Sequence, residues 1–205
     1  MTQRDGKLRK TNQNLKDSRV QEILEAALRC FVKTGFSAAS MRDIATEAGV
    51  SLGLLYRYFD DKAAIVAAAI RADSGEFRLR LGDLVADGLT GETLLAFIQQ
   101  EVALRSEVSM FALTAEIMAE AARNPAIAAL VRQNIEAAEI DLAEVLIAFY
   151  KPREKAETRQ SAVNRASHLL GLVDLLAVRV FLGLNVNPRE TLKTALENPN
   201  PYRIN

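Results

Sequence analysis

A single cysteine, a single histidine and no tryptophan in 205 residues remove several kinds of chemistry at once. Cys30 has no partner for an internal disulfide and no companions for a thiolate metal cluster, which suits a reducing compartment. His168 alone cannot build a histidine metal centre, and neither a G-x-S-x-G nucleophile turn nor a phosphate-cradling glycine loop occurs. Paired carboxylates exist, but on charged stretches without an acid/base partner. No catalytic residue, metal ligand or cofactor is therefore assigned, and no enzymatic activity is expected. Cys30 stands beside Phe31 and reads as a small buried apolar residue rather than a redox sensor.

Net charge is absent too, with 26 Lys+Arg against 26 Asp+Glu, so the molecule as a whole is not a general polyanion binder. Any affinity for nucleic acid must be local. The first 62 residues carry eleven bases against eight acids, which places the basic end at the N-terminus. Long hydrophobic runs are missing as well. The most apolar stretch, 169–184, is interrupted by Asp174 and Arg179, and the first residues have charge without an apolar centre. Neither a membrane span nor a secretory signal is expected, and the location inferred is cytoplasmic.

What is present is ample apolar content, 49%, arranged at helical spacing and punctuated by ten glycines and five prolines. No run alternates with the period of two that a half-buried strand requires. The fold class is all-α. Residues 1–17 are polar and read as a flexible basic arm whose Arg4, Lys7, Arg9 and Lys10 are solvated, with tracking of phosphate or a minor groove as the competing reading. A first helix is predicted from Asp17 or Ser18, with Val20, Ile23, Leu24, Ala27, Leu28 and Phe31 on one face and a stop at Gly35. Ser40 can cap a short second helix through MRDIATEA, Gly49 supplies a turn, and Ser51 caps a third, LGLLYRYF. Longer helices are predicted beyond Lys62, at about 63–87 with a break near Gly75 or Gly82, then 92–107, 109–123, 126–150, 154–184 and 189–197, with Pro125, Pro152 and Pro188 as boundaries.

Within Ser18 to Lys62, the order FVKTGF, RDIATEAGV and LLYRYFDDK resembles the DNA-binding domain of TetR-type (tetracycline-repressor-like) transcriptional regulators. The residues supply a physical rationale beside the resemblance. A recognition helix enters the major groove while flanking side chains hold phosphate. Leu55 and Phe59 share a face that can anchor such a helix, leaving Leu54, Arg57 and Tyr58 turned towards a groove and Tyr56 at its flank. The resemblance implies DNA contacts from Ser40, Met41 and Arg42, from Ser51, Leu52, Gly53 and Leu54, and from Tyr56, Arg57, Tyr58 and Lys62. Leu52 and Leu54 depart from polar examples of the family and fit thymine methyls rather than hydrogen-bonding edges. They also motivate an alternative reading, a dimeric helical interaction module acting through a protein partner.

The resemblance further implies a domain at 18–72 for double-stranded operator DNA and one at 73–205 for ligand sensing and dimerisation. The implied activity is that of a repressor released from its operator by a small apolar or amphipathic effector. Val163, Ala166, Leu170, Val173, Ala177, Val180 and Leu184 recur in steps of three and four, a seam suited to a homodimer interface. Phe97, Met110, Phe111, Leu113, Ile117, Met118 and His168 are the candidate pocket residues, each with ordinary core packing as the competing reading. Glu116 and Glu120, one turn apart, could meet a cationic ligand but are explained more simply as a solvated helix face.

Overall fold

The computed structural model describes residues 3–150 and 158–197, with side chains from Ser18 onward, and all the secondary structure among them is helical. The order is α1 (Gln3–Thr34), α2 (Met41–Glu47), α3 (Leu52–Tyr56), α4 (Lys62–Ala86), α5 (Gly91–Ser106), α6 (Val108–Ala121), α7 (Pro125–Tyr150), α8 (Arg159–Phe181) and α9 (Pro188–Glu197). Two differences from the sequence expectation have direct physical causes. Helix α1 begins at Gln3 rather than at Asp17 or Ser18, because residues 3–17 are rich in straight-chain helix formers and contain no proline. The side chains of the basic arm residues lie outside those described. Helix α4 continues without a break through Gly75 and Gly82, since isolated glycines cost only about 1 kcal/mol each in a helix.

The chain divides into two compact units, 1–70 with 113–128, and 71–112 with 129–205. In the first, α1 presents Ile23, Leu24, Ala27 and Phe31 inward, and α2 and α3 close over them with Ile44, Ala45, Leu55 and Phe59. Phe31 and Phe36 meet at 5.1 Å between ring centroids. Ala45 O accepts the Val50 N–H at 2.9 Å across the turn at Gly49, whose φ of 64° lies in the left-handed region that favours glycine. Residues 113–128 join this unit although the sequence division at 72/73 places them in the second domain.

In the second unit α5 is central, packing on α8 and α9. Its Leu94, Leu95, Ile98 and Val102 meet Phe77 and Leu81 of α4, Leu142 and Leu146 of α7, and Leu169 and Val173 of α8. Among the described residues one charged side chain is buried there. Glu101 is 3% exposed and accepts from Arg80 Nε at 2.8 Å, while Arg105, which also pairs with Asp174, stands 3.9 Å away.

Candidate nucleic-acid interface

Helices α2 and α3 owe their place to side-chain caps, because seven and five residues are too few for independent helices. Ser40 accepts the Asp43 N–H at 3.2 Å, and Asp43 Oδ2 accepts from the Ser40 N–H at 2.9 Å and the Ser40 hydroxyl at 2.6 Å. This reciprocal box satisfies donors that the first helical turn leaves open. Ser51 repeats the single-sided form at α3, accepting the Leu54 N–H at 3.2 Å. Arg29 and Glu47 tie α1 to α2 through an exposed 2.7 Å ion pair.

The bonds from Ser40, first the hydroxyl and then the backbone N–H, hold the Asp43 carboxyl below the usual aspartate range. The sign follows from linkage: a depressed folded pKa gives stabilisation present above the unfolded value of about 3.9 and lost as pH falls from there through the folded value. An NMR titration is expected to show the Asp43 carboxyl titrating below an ordinary aspartate. In Ser40→Ala it should move back towards the ordinary range, since the larger of the two hydrogen bonds is gone.

Helix α3 is shorter than the sequence suggests. It ends at Tyr56, and Arg57, Tyr58 and Phe59 continue as turns whose amides reach Leu54 O and Leu55 O at 3.0 to 3.1 Å. Leu55 is 0% exposed and Phe59 is buried, so the two residues expected as anchors do point into the unit. The α2–turn–α3 surface then carries several exposed or half-buried groups. Arg42, Ser51, Gly53 and Arg57 are exposed, Tyr56 is 50% exposed, and Met41, Leu52, Leu54 and Tyr58 are half-buried. Three of the eleven candidate residues have their polar groups engaged locally. Ser40 and Ser51 are committed to the caps of α2 and α3, and Lys62 donates to Phe36 O at 2.6 Å and Ser37 O at 3.1 Å, with its ammonium 4.7 Å from the Phe36 ring centroid.

Residues 23–69, which hold this whole arrangement, match the family model of bacterial regulatory proteins of the tetR family. The likeness to the TetR family lies in this N-terminal stretch. Over 119 residues it is 34% identical to the HTH-type transcriptional regulator UidR of Escherichia coli K12, a match spanning 54% of this chain and 55% of UidR, so it covers about half the length of that curated relative. Salmonella enterica GusR superposes on 89% of the chain and 95% of its own, with a TM-score of 0.72 at 26% identity. The fold is also that of the regulator FadR from Bacillus subtilis, solved in complex with stearoyl-CoA: TM-score 0.70, 18% identity, 87% of this chain and 96% of that one.

The seam expected to pair two copies is largely internal. Ala166, Leu170, Val173 and Ala177 are buried, and Val163 packs against the second unit's own core. Only Val180 and Leu184 of that set stay open. The reason is helical phase. The face α8 leaves uncovered is offset from the buried one and runs through His168, Gly171, Leu175, Val178 and Leu182, again in steps of three and four, with Leu175 55% and Leu182 60% exposed. His168 therefore stands on an exposed helix face, not among the pocket walls where the sequence placed it. Of the other pocket candidates, Phe97 is core, Phe111 stacks on Phe181 at 3.9 Å between centroids, and Met110 is exposed, all in the second unit. Leu113, Ile117 and Met118 belong to the first unit, because the division of the chain falls within α6. An open recess of the second unit is lined by Arg78, Leu81, Gly82, Val85, Asp141, Glu144 and Val145, none of them a pocket candidate, and Arg78 and Asp141 pair in it at 2.6 Å.

Burial raises the Cys30 thiol, with Glu47 and Asp43 adding to the effect, so it stays protonated at neutral pH and is a poor nucleophile. Among the described residues no helix is long and apolar enough to cross a membrane, and no group of three or more His, Cys, Asp or Glu is placed to hold a metal ion.

Proposed function

We propose that the chain is a sequence-specific transcriptional regulator that binds double-stranded operator DNA as a homodimer in the cytoplasm and is released by a small apolar or amphipathic effector. The observation that carries this reading is the capped α2–turn–α3 surface, on which Arg42, Tyr56 and Arg57 are exposed while Leu55 fixes α3 from behind. Arginine and tyrosine supply charged and stiff neutral donors for phosphate, and Leu52 and Leu54 supply apolar contact for thymine methyls. Release follows from linkage. An effector that favours an arrangement unfit for the operator lowers operator affinity, and the operator lowers effector affinity by the same factor.

The dimer in this reading uses the open face of α8. Two half-sites about 34 to 36 Å apart, or a multiple, need two recognition helices, and a two-fold pair of α8 faces supplies the second copy. Leu175→Glu places a charge on that face and is expected to convert the protein to a monomer in light scattering. Retention of the dimer would move the interface elsewhere.

DNA binding is tested by comparing wild type with an Arg42→Ala/Tyr56→Phe double variant on DNA from upstream of the protein's own gene. Binding should weaken with salt and fall about tenfold or more in the double variant, since each lost contact contributes roughly 1 kcal/mol or more. Equal, weak affinity of both proteins for that DNA and for a scrambled duplex, together with co-purification of a stoichiometric protein, would favour an interaction module instead.

A further inference from the structure

The connection between α1 and α2 is held by side chains from distant parts of the chain. Glu116 of α6 accepts the Phe36 N–H at 2.8 Å, and Lys62 of α4 donates to the carbonyl of the same residue at 2.6 Å. Both polar groups of Phe36 are thus engaged by charged groups of opposite sign, 80 and 26 positions away. Gly35 precedes it with φ +82°, and a Cβ there would lie 3.5 Å from Glu116 Oε2. That distance is ordinary contact, so it is the left-handed φ, not lack of room, that calls for glycine here. Such connections are ordinarily satisfied by water and by their own local bonds. Four residues after Phe36 comes Ser40, the cap of α2, and two further on the exposed Arg42.

We infer that Glu116 is a positioning residue for operator binding: its carboxylate fixes the α1–α2 connection, and through it the start of α2, in the geometry that meets DNA. The inference rests on the DNA-binding reading above. A charged acceptor on a backbone amide is about twice as strong as a neutral one, and a connection fixed before binding has less ordering to do on the DNA. Glu116 sits in the middle of α6, so a slide or rotation of that helix separates the carboxylate from the amide.

The test uses the full chain and a duplex that the wild type selects from a random-sequence library, with a scrambled duplex of equal length as control. Glu116→Asp keeps the charge and loses the reach; Glu116→Gln keeps the reach with a neutral acceptor. Glu116→Asp is expected to weaken binding to the selected duplex about five- to tenfold, within the usual range of coupling between sites, and Glu116→Gln less. Binding to the scrambled duplex should stay within about twofold for both. Thermal unfolding reads any loss of fold separately, and the near-isosteric Glu116→Gln remains informative if Glu116→Asp is destabilised. Unchanged selection and affinity in both variants, or a larger loss in Glu116→Gln than in a folded Glu116→Asp, would overturn the inference while leaving the DNA-binding reading intact. A wild type that selects no duplex would instead overturn that reading, and this inference with it.

Discussion

Replacing Leu55 with alanine is expected to destabilise the first unit by about 2–5 kcal/mol and to abolish sequence-specific DNA binding. Leu55 is 0% exposed in a helix of five residues, so the orientation of α3 depends on this one buried side chain rather than on helix propensity. Its loss removes the burial of an isobutyl group and leaves a cavity behind α3, which short capped helices can fill only by tilting. Tyr56 and Arg57 follow Leu55 directly and would tilt with it. Hydrogen exchange is the appropriate measurement, because a chain of two units need not unfold in one step. Protection of α2 and α3 should collapse while that of α5 and α8 is retained. Normal protection in α3, with normal DNA affinity, would show that the cap at Ser51 positions the helix without the anchor.

Arg80→Ala is expected to cost about 3 kcal/mol in the second unit, more than Glu101→Leu at the other end of the same pair. Glu101 is nearly inaccessible to water, and Arg80 supplies its 2.8 Å and 3.4 Å hydrogen bonds. Taking the arginine away leaves a buried carboxylate with Arg105 at 3.9 Å as its remaining cationic neighbour. Taking the glutamate away leaves two arginines that already reach solvent and fills the space with an aliphatic side chain. The difference between the two variants is the informative quantity, read from thermal or denaturant unfolding of the second unit. Equal losses would mean that the pair contributes packing alone.

The N-terminal unit was legible in the sequence because its determinants are local. Ser40 and Ser51 stand at cap positions, Gly49 supplies the left-handed turn, and Leu55 and Phe59 share a face four residues apart, so a few neighbouring positions specify each element. Helix ends beyond it were also readable where proline fixes them, as at Pro125 and Pro188, which open α7 and α9. The phase of α8 was not. That helix carries apolar residues nearly all round, so periodicity allowed more than one inward face, and only the placement of α5 and α9 decides that Ala166, Leu170 and Val173 turn inward while Leu175 and Leu182 stay open. Lys62 and Glu116 were misleading for a related reason. A lysine beside a candidate clamp and a glutamate on an amphipathic helix look alike whether solvated or engaged, and nothing in the sequence ties either to the Phe36 peptide. The pocket candidates were chosen for size and softness, properties that core residues share, so the sequence held no signal to separate the two.

The central claim, that the α2–turn–α3 surface reads DNA, is tested most directly by selecting duplexes from a random library with the wild type and measuring affinity for the winner across salt concentrations. The claim predicts a near-palindromic consensus and an affinity falling linearly in log–log form with added salt, by a slope of about 0.9 per phosphate neutralised. Arg42→Ala and Arg57→Ala should each reduce that slope by about one if they hold phosphate, or relax one position of the consensus if they hold a base. No enrichment over the starting library, with a salt dependence unchanged by either substitution, would contradict it.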